Sequence, residues 1–113
     1  MTPAAAATWR YLAQRASAAV LAACVLVHIA TILYATRQGL SASALLARAH
    51  ASVAWPAFYG VFVAAVAVHA PLGLRVILDE WSGLRGRAVD LLLTLFGVTL
   101  LVAGLRAVMA VSG

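Results

Sequence analysis

Three long apolar runs, separated by short polar stretches, form the main pattern of this chain. They cover residues 16–36, 52–78 and 88–111, with charged residues at or near their edges. As an α-helix that rises about 1.5 Å per residue, each run is long enough to cross a hydrocarbon layer of about 30 Å. The pattern predicts an all-α membrane protein in which residues 1–113 form one domain with three transmembrane helices.

The polar stretches predict short connections between the helices. Residues 1–14 form a lead-in that we expect to be a short tail of the mature protein and not a cleaved signal peptide. Residues 38–49 leave the membrane and return, with a short interfacial helix expected over 40–47, and residues 79–87 form a polar turn. Pro71 lies inside the second run, where its missing N–H group is expected to kink the helix.

The composition also favours a lipid environment. The chain is 65% hydrophobic and 10% charged, whereas a soluble domain is about half apolar and about a quarter charged. A chain of 113 residues cannot bury this much apolar surface in one water-soluble core. Its net charge of +5 comes from arginines beside the runs, so we do not expect nucleic acid as a partner. Cys24, the single cysteine, lies inside the first run, and we expect it to be packed and inert.

The arginines also indicate an orientation in the membrane. One set lies on the side of the N-terminus and of the second connection: Arg10, Arg15, Arg75, Arg85 and Arg87. The other side carries Arg37, Arg48 and Arg106. Because arginine is in excess on the cytoplasmic side of membrane proteins, we expect the N-terminus to be cytoplasmic.

Two histidines lie inside the apolar runs, where an ionisable side chain is costly and is therefore a candidate for function. His28 is in the first run and His69 in the second. Imidazole nitrogen ligates haem iron, and helix bundles supply such ligands from facing helices. The alternative is that each histidine only hydrogen-bonds to a neighbouring helix. His50 lies at the outer interface, where a solvated histidine is unremarkable.

The depths of the two histidines argue against one shared iron. His28 is 13 residues past Arg15, and His69 is 10 residues before Asp79. These spacings correspond to depths of about 20 Å and about 15 Å from one membrane edge. Because the ligands of one haem lie at the same level, an offset of about 5 Å or more favours two different haems, each completed by another chain.

A second polar group falls where the first run begins and the second ends: Arg15, Ser17, Arg75, Asp79, Glu80 and Trp81. Arginine and hydroxyl groups bind carbonyl oxygens, a carboxylate carries protons, and an indole forms a wall or a donor. Together they are suited to a lipid-soluble quinone. Arginine and tryptophan are also ordinary anchors at the ends of membrane helices, and that alternative stays open.

Two motifs resemble the membrane-anchor subunits of succinate dehydrogenase and fumarate reductase. The sequence Arg15-Ala16-Ser17-Ala18-Ala19-Val20-Leu21 is similar to the Arg-x-Ser/Thr-Gly/Ala opening of their first helix. The sequence His69-Ala70-Pro71-Leu72-Gly73-Leu74-Arg75, followed by Asp79, is similar to their His-x-x-x-Gly-(Ile/Leu/Met)-Arg…Asp signature. Together with three helices and short tails, the resemblance covers nearly the whole chain.

The resemblance implies a cytochrome b anchor with haem b, one or two groups, between anchor helices. His69 matches the haem ligand, and His28 resembles the helix-one histidine of two-haem anchors. The quinone site would include Arg15, Ser17, Asp79 and Trp81, although Glu80 intervenes before the tryptophan.

The resemblance also implies partners and a location. These are the flavoprotein and iron–sulfur subunits, a second anchor chain that completes the helix bundle, and a bacterial inner membrane. The chain itself would perform no dehydrogenation. The alternatives are a cytochrome b subunit of another membrane oxidoreductase, such as a hydrogenase-type enzyme, a haem-free anchor, or a small transporter or assembly factor.

Overall fold

The structure, a computed structural model, describes residues 2–112, so Met1 and Gly113 of the predicted domain lie outside it. It has four α-helices: α1 (Pro3–Arg37), α2 (Ala42–Ala51), α3 (Ala54–Ile77) and α4 (Arg87–Ser112). A π-helical turn, Leu78–Ser82, extends α3. Three helices are long and apolar enough to cross a membrane, namely α1, α4 and α3 with its turn. No strand occurs within residues 2–112, and the predicted all-α class with three membrane helices is confirmed.

The helix ends differ from the predicted ones for local reasons. Helix α1 includes nearly all of the lead-in, because Thr2 Oγ1 accepts a hydrogen bond from Ala5 N–H at 3.1 Å and Pro3 occupies the first turn. Ser41 caps α2 in the same way, through Ala44 N–H at 3.2 Å, so that this helix starts and ends later than 40–47. The polar turn begins only at Gly83, whose φ of 65° ends the π-helical turn.

Helix α3 is the centre of the fold, because it packs against both α1 and α4, while α2 lies against α4. Few residues are buried within residues 2–112: Ser17, Cys24, Ala65, Leu93 and Gly97. Most large apolar side chains face outward, as Leu26 does at 70% exposure. Such a surface is stable in contact with lipid and not with water.

The contact between α3 and α4 depends on two glycines. A Cβ atom on Gly104 would lie 2.5 Å from Val63 Cγ1, and one on Gly97 would lie 3.0 Å from the Ala67 carbonyl oxygen. That carbonyl has lost its helical donor, because Pro71, four residues later, has no N–H group. Helix α3 stays helical through Pro71, and a side chain at position 97 of α4 would press against the freed oxygen and the proline ring.

Candidate functional site

His69 on α3 lies against Ser17 on α1, with 3.3 Å between His69 Nδ1 and Ser17 Oγ. Ser17 is only 6% exposed, and its hydroxyl donates a hydrogen bond to the Gln14 backbone carbonyl at 3.1 Å. Because a hydroxyl has one hydrogen, Ser17 Oγ accepts the hydrogen bond from His69. In this arrangement, with the Ser17 hydrogen on the Gln14 carbonyl, Nδ1 carries the ring proton and Nε2 keeps the lone pair that a metal ion requires.

His28 on α1 lies against an aromatic group on α3. Its Nδ1 forms a hydrogen bond with the Tyr59 hydroxyl at 2.9 Å. Its ring meets the rings of Tyr59 and Phe62 edge-on, with centroid distances of 5.6 and 5.8 Å. His28 lines a mainly apolar cleft of about 880 Å³, to which all four helices contribute. Arg48 of α2 lies at the same cleft, 5.8 Å from the ring centroid of Tyr34.

The two histidines occupy different levels of the bundle. His28 is level with Tyr59, which precedes His69 by ten residues on the same helix, so the imidazoles are about 15 Å apart along the bundle. The sequence predicted a minimum offset of about 5 Å from helix edges taken to be level. Ser17 is level with His69, so Arg15, two residues before Ser17, lies roughly two helical turns deeper in the bundle than Asp79, ten residues after His69. Because Arg15 and Asp79 are not level, the two histidines are further apart than the sequence predicted.

A smaller cleft of about 460 Å³ lies between α1, α3 and the start of α4. Four arginines and two aspartates line it, together with apolar residues: Arg10, Arg15, Arg75, Arg85, Asp79 and Asp90. Arg75 forms an ion pair with Asp90, and Arg85 forms one with Asp79. Within residues 2–112, Arg15 has no carboxylate partner, and its guanidinium carbon lies 5.7 Å from the Tyr11 ring centroid.

Gln14 also lines the smaller cleft, and its Oε1 atom is buried without a hydrogen-bond partner among residues 2–112. Leaving a buried acceptor unpaired costs about 1–3 kcal/mol. The polar groups that the cleft offers to a ligand are therefore mainly its arginines, which attract carbonyl oxygens.

The structure brings together only part of the predicted quinone-site group. Arg15 and Asp79 line the smaller cleft. Ser17 does not line it and contacts His69 instead, and Trp81 lies outside it with 84% exposure. Glu80 and His50 are exposed.

Sequence reasoning missed several residues at both sites: Gln14, Tyr59, Arg85 and Asp90. The i, i+3, i+4, i+7 spacing of Trp55, Phe58, Tyr59 and Phe62 places four aromatic rings on one face of the helix, and this signal was available for Tyr59. For Gln14 and Asp90 the contacts depend on how the helices pair, and the contact of Arg85 with Asp79 depends on the shape of the turn that ends at Gly83; the sequence pattern gives neither.

Comparison with known families gives one match. The family model described as "Succinate dehydrogenase/Fumarate reductase transmembrane subunit" matches residues 2–109. No curated protein and no solved structure matches the chain. The match covers all three membrane-length helices and both clefts, apart from the last residues of α4. The chain therefore belongs to the succinate dehydrogenase/fumarate reductase transmembrane subunit family, as a multi-pass membrane anchor that associates with other subunits of that complex.

Proposed function

We propose that this chain is the cytochrome b anchor subunit of a succinate:quinone oxidoreductase, and that it binds haem b and forms part of the quinone site. The observation that carries the proposal is a pair of imidazoles on α1 and α3, His28 and His69. Each is held through Nδ1 by a hydroxyl group, and neither Nε2 has a hydrogen-bond partner within residues 2–112.

The residues around His69 fit a haem ligand. Metal-binding histidines usually donate their other N–H to a neighbouring acceptor, and Ser17 Oγ is that acceptor here. Haem b supplies, when bound, an iron that accepts and returns one electron at a time. His69 would hold that iron through Nε2, while the surrounding apolar helices keep water away.

The larger cleft fits a second haem at His28. It is mainly apolar, and its volume of about 880 Å³ suits a large flat ligand. Arg48 at the same cleft offers a cation to a carboxylate on such a ligand. Since this chain has one histidine at each level, a second anchor chain, either a different subunit or a copy of this one, would supply the opposing ligands.

The smaller cleft fits the quinone. Arg15 is free of carboxylate partners among the described residues and can donate hydrogen bonds to a quinone carbonyl. The Asp79 carboxylate, which is paired with Arg85, also lines this cleft and can accept a hydrogen bond from a hydroxyl of the reduced quinone. Trp81 would cover the cleft from its exposed side. Ser17 does not line this cleft, and its role as a quinone contact stays a prediction.

The remaining assignments follow from the family and the charge pattern. The flavoprotein and iron–sulfur subunits would bind at the face that carries Arg10, Arg85 and the smaller cleft, so that electrons reach quinone over a short distance. The chain itself catalyses no dehydrogenation. That face would be cytoplasmic, with the protein in a bacterial inner membrane.

Redox-titrated absorption of the purified complex tests the haem assignment. We expect His69→Ala and His28→Ala each to remove one titrating haem component, while the exposed-site control His50→Ala keeps both. If neither substitution in the membrane changes the haem content, the ligand assignment is wrong. A wild-type complex without a Soret band would identify a haem-free anchor.

A further inference from the structure

We infer that Ser17 is a positioning residue for His69, which fixes the tautomer of the imidazole and lowers the reduction potential of the iron bound to it. The inference rests on the proposed haem ligation by His69. It assigns Ser17 a role different from the quinone contact that the motif resemblance implies, because the hydroxyl contacts the histidine and does not line the smaller cleft.

Ser17 lies between two hydrogen-bond partners, the Gln14 carbonyl and the His69 imidazole. The Ser17 hydroxyl donates to the Gln14 carbonyl at 3.1 Å, so its oxygen is left to accept from His69 Nδ1–H at 3.3 Å. The opposite tautomer of His69 would place two acceptors, Nδ1 and the Gln14 carbonyl, before one hydroxyl hydrogen. The serine therefore stabilises the tautomer whose Nε2 can bind iron.

His69 has no alternative side-chain partner for this hydrogen bond among the described residues. Ser17 is 6% exposed, and no other side chain within residues 2–112 forms a hydrogen bond with His69. Without the hydroxyl, the ring N–H would lose its only acceptor in apolar surroundings, and the ring could rotate or shift its proton. Loss of an outer hydrogen bond of this kind typically weakens metal retention about 10- to 100-fold.

The hydrogen bond from His69 Nδ1 also affects the electronic properties of the imidazole as an iron ligand. An Nδ1–H group that donates a hydrogen bond makes the imidazole a more basic ligand, and a more basic ligand favours ferric over ferrous iron. The hydrogen bond from Ser17 to Gln14 polarises the hydroxyl in the same direction. Removing the hydroxyl should therefore raise the midpoint potential of the haem held by His69 and leave that of the haem at His28 unchanged.

The test uses the intact complex with Ser17→Ala, and with Ser17→Thr as the conservative variant that keeps a hydroxyl. Thr99→Ala is the matched control, because its hydroxyl also donates to a backbone carbonyl, that of Leu95, but contacts no histidine. Redox titration and low-spin electron paramagnetic resonance give the potential and ligand field. Steady-state kinetics give the KM for quinone. Ser17→Cys, whose thiol is a much weaker hydrogen-bond acceptor than the hydroxyl, replaces Ser17→Ala if that complex does not assemble.

We expect Ser17→Ala to raise the midpoint potential of one haem component and change its resonance, with the KM for quinone within about twofold of wild type. Ser17→Thr should keep the wild-type midpoint potential, and Thr99→Ala should behave as wild type. Unchanged potential and resonance in Ser17→Ala, or a severalfold rise in KM alone, would overturn the inference. Failure of the proposed function is distinguishable, because the haem would then survive His69→Ala or be missing from the wild type.

Discussion

Replacing Gly104 with alanine should force α3 and α4 apart, because the new methyl group would enter the space of Val63. The added Cβ would lie 2.5 Å from Val63 Cγ1, 2.9 Å from Cγ2 and 3.2 Å from Cβ. Carbon atoms in favourable contact are about 3.5–4.0 Å apart, so the overlap is about 1 Å. Since all three valine carbons are close, rotating the side chain only exchanges one clash for another.

The size of the effect follows from two opposing contributions. Overpacking a close contact costs about 1–3 kcal/mol. Replacing glycine with alanine inside a helix stabilises it by about 1 kcal/mol. Gly60→Ala separates the two, because a Cβ at Gly60 in α3 meets nothing within 4 Å. The free energy of unfolding of Gly104→Ala should therefore lie about 1–3 kcal/mol below that of Gly60→Ala.

Reversible unfolding in mixed micelles, followed by far-ultraviolet circular dichroism, measures this difference. Val63→Ala in the Gly104→Ala background removes both clashing methyl groups and provides a double-mutant cycle. We expect a favourable coupling energy of about 1–3 kcal/mol between the two substitutions. Equal stability of Gly104→Ala and Gly60→Ala, or a coupling near zero, would show that α3 and α4 do not approach here as described.

Two further substitutions test the polar contacts between helices. Asp90→Asn breaks the ion pair with Arg75, whose side chain is 36% exposed. We therefore expect the free energy of unfolding in the same assay to fall by at most about 1 kcal/mol. The charge-exchanged double variant, Arg75→Asp with Asp90→Arg, should recover it. Tyr59→Phe removes the hydroxyl group that bonds to His28 and keeps the ring, which stacks on Phe62 at 6.4 Å. In redox titration it should therefore shift the haem component assigned to His28 and leave that assigned to His69 in place.

The helices themselves could be predicted from the sequence, because apolar runs of this length have one common outcome in a bilayer. Their ends were less accessible. Helix α1 gains more than three turns beyond the apolar run through the Thr2 cap and Pro3, and neither residue is part of the hydrophobic pattern. Glycines commonly allow close packing between membrane helices, but the sequence does not say that Gly104 meets Val63.

The candidate site was predictable in its residues but not in its arrangement. The apolar surroundings and the motif resemblance selected His28, His69 and Arg15 from the sequence. The relative shift of α1 along α3 was not accessible, because the prediction took Arg15 and Asp79 to mark one level. The observed shift pairs Ser17 with His69 and not with the smaller cleft. Helix register depends on side-chain packing between helices, which composition and charge do not fix.

The two hydroxyl groups also make the two imidazoles chemically different. The Ser17 hydrogen is committed to the Gln14 carbonyl, so His69 presents a lone pair at Nε2. The Tyr59 hydroxyl has no second hydrogen-bond partner within residues 2–112, so either it or His28 Nδ1 can donate. A metal at His28 Nε2 requires donation to Tyr59, whereas a carbonyl ligand there requires donation from Tyr59. The ligand of the larger cleft therefore selects the tautomer of His28, whereas the hydrogen bond from Ser17 to Gln14 favours one tautomer of His69 before any ligand binds.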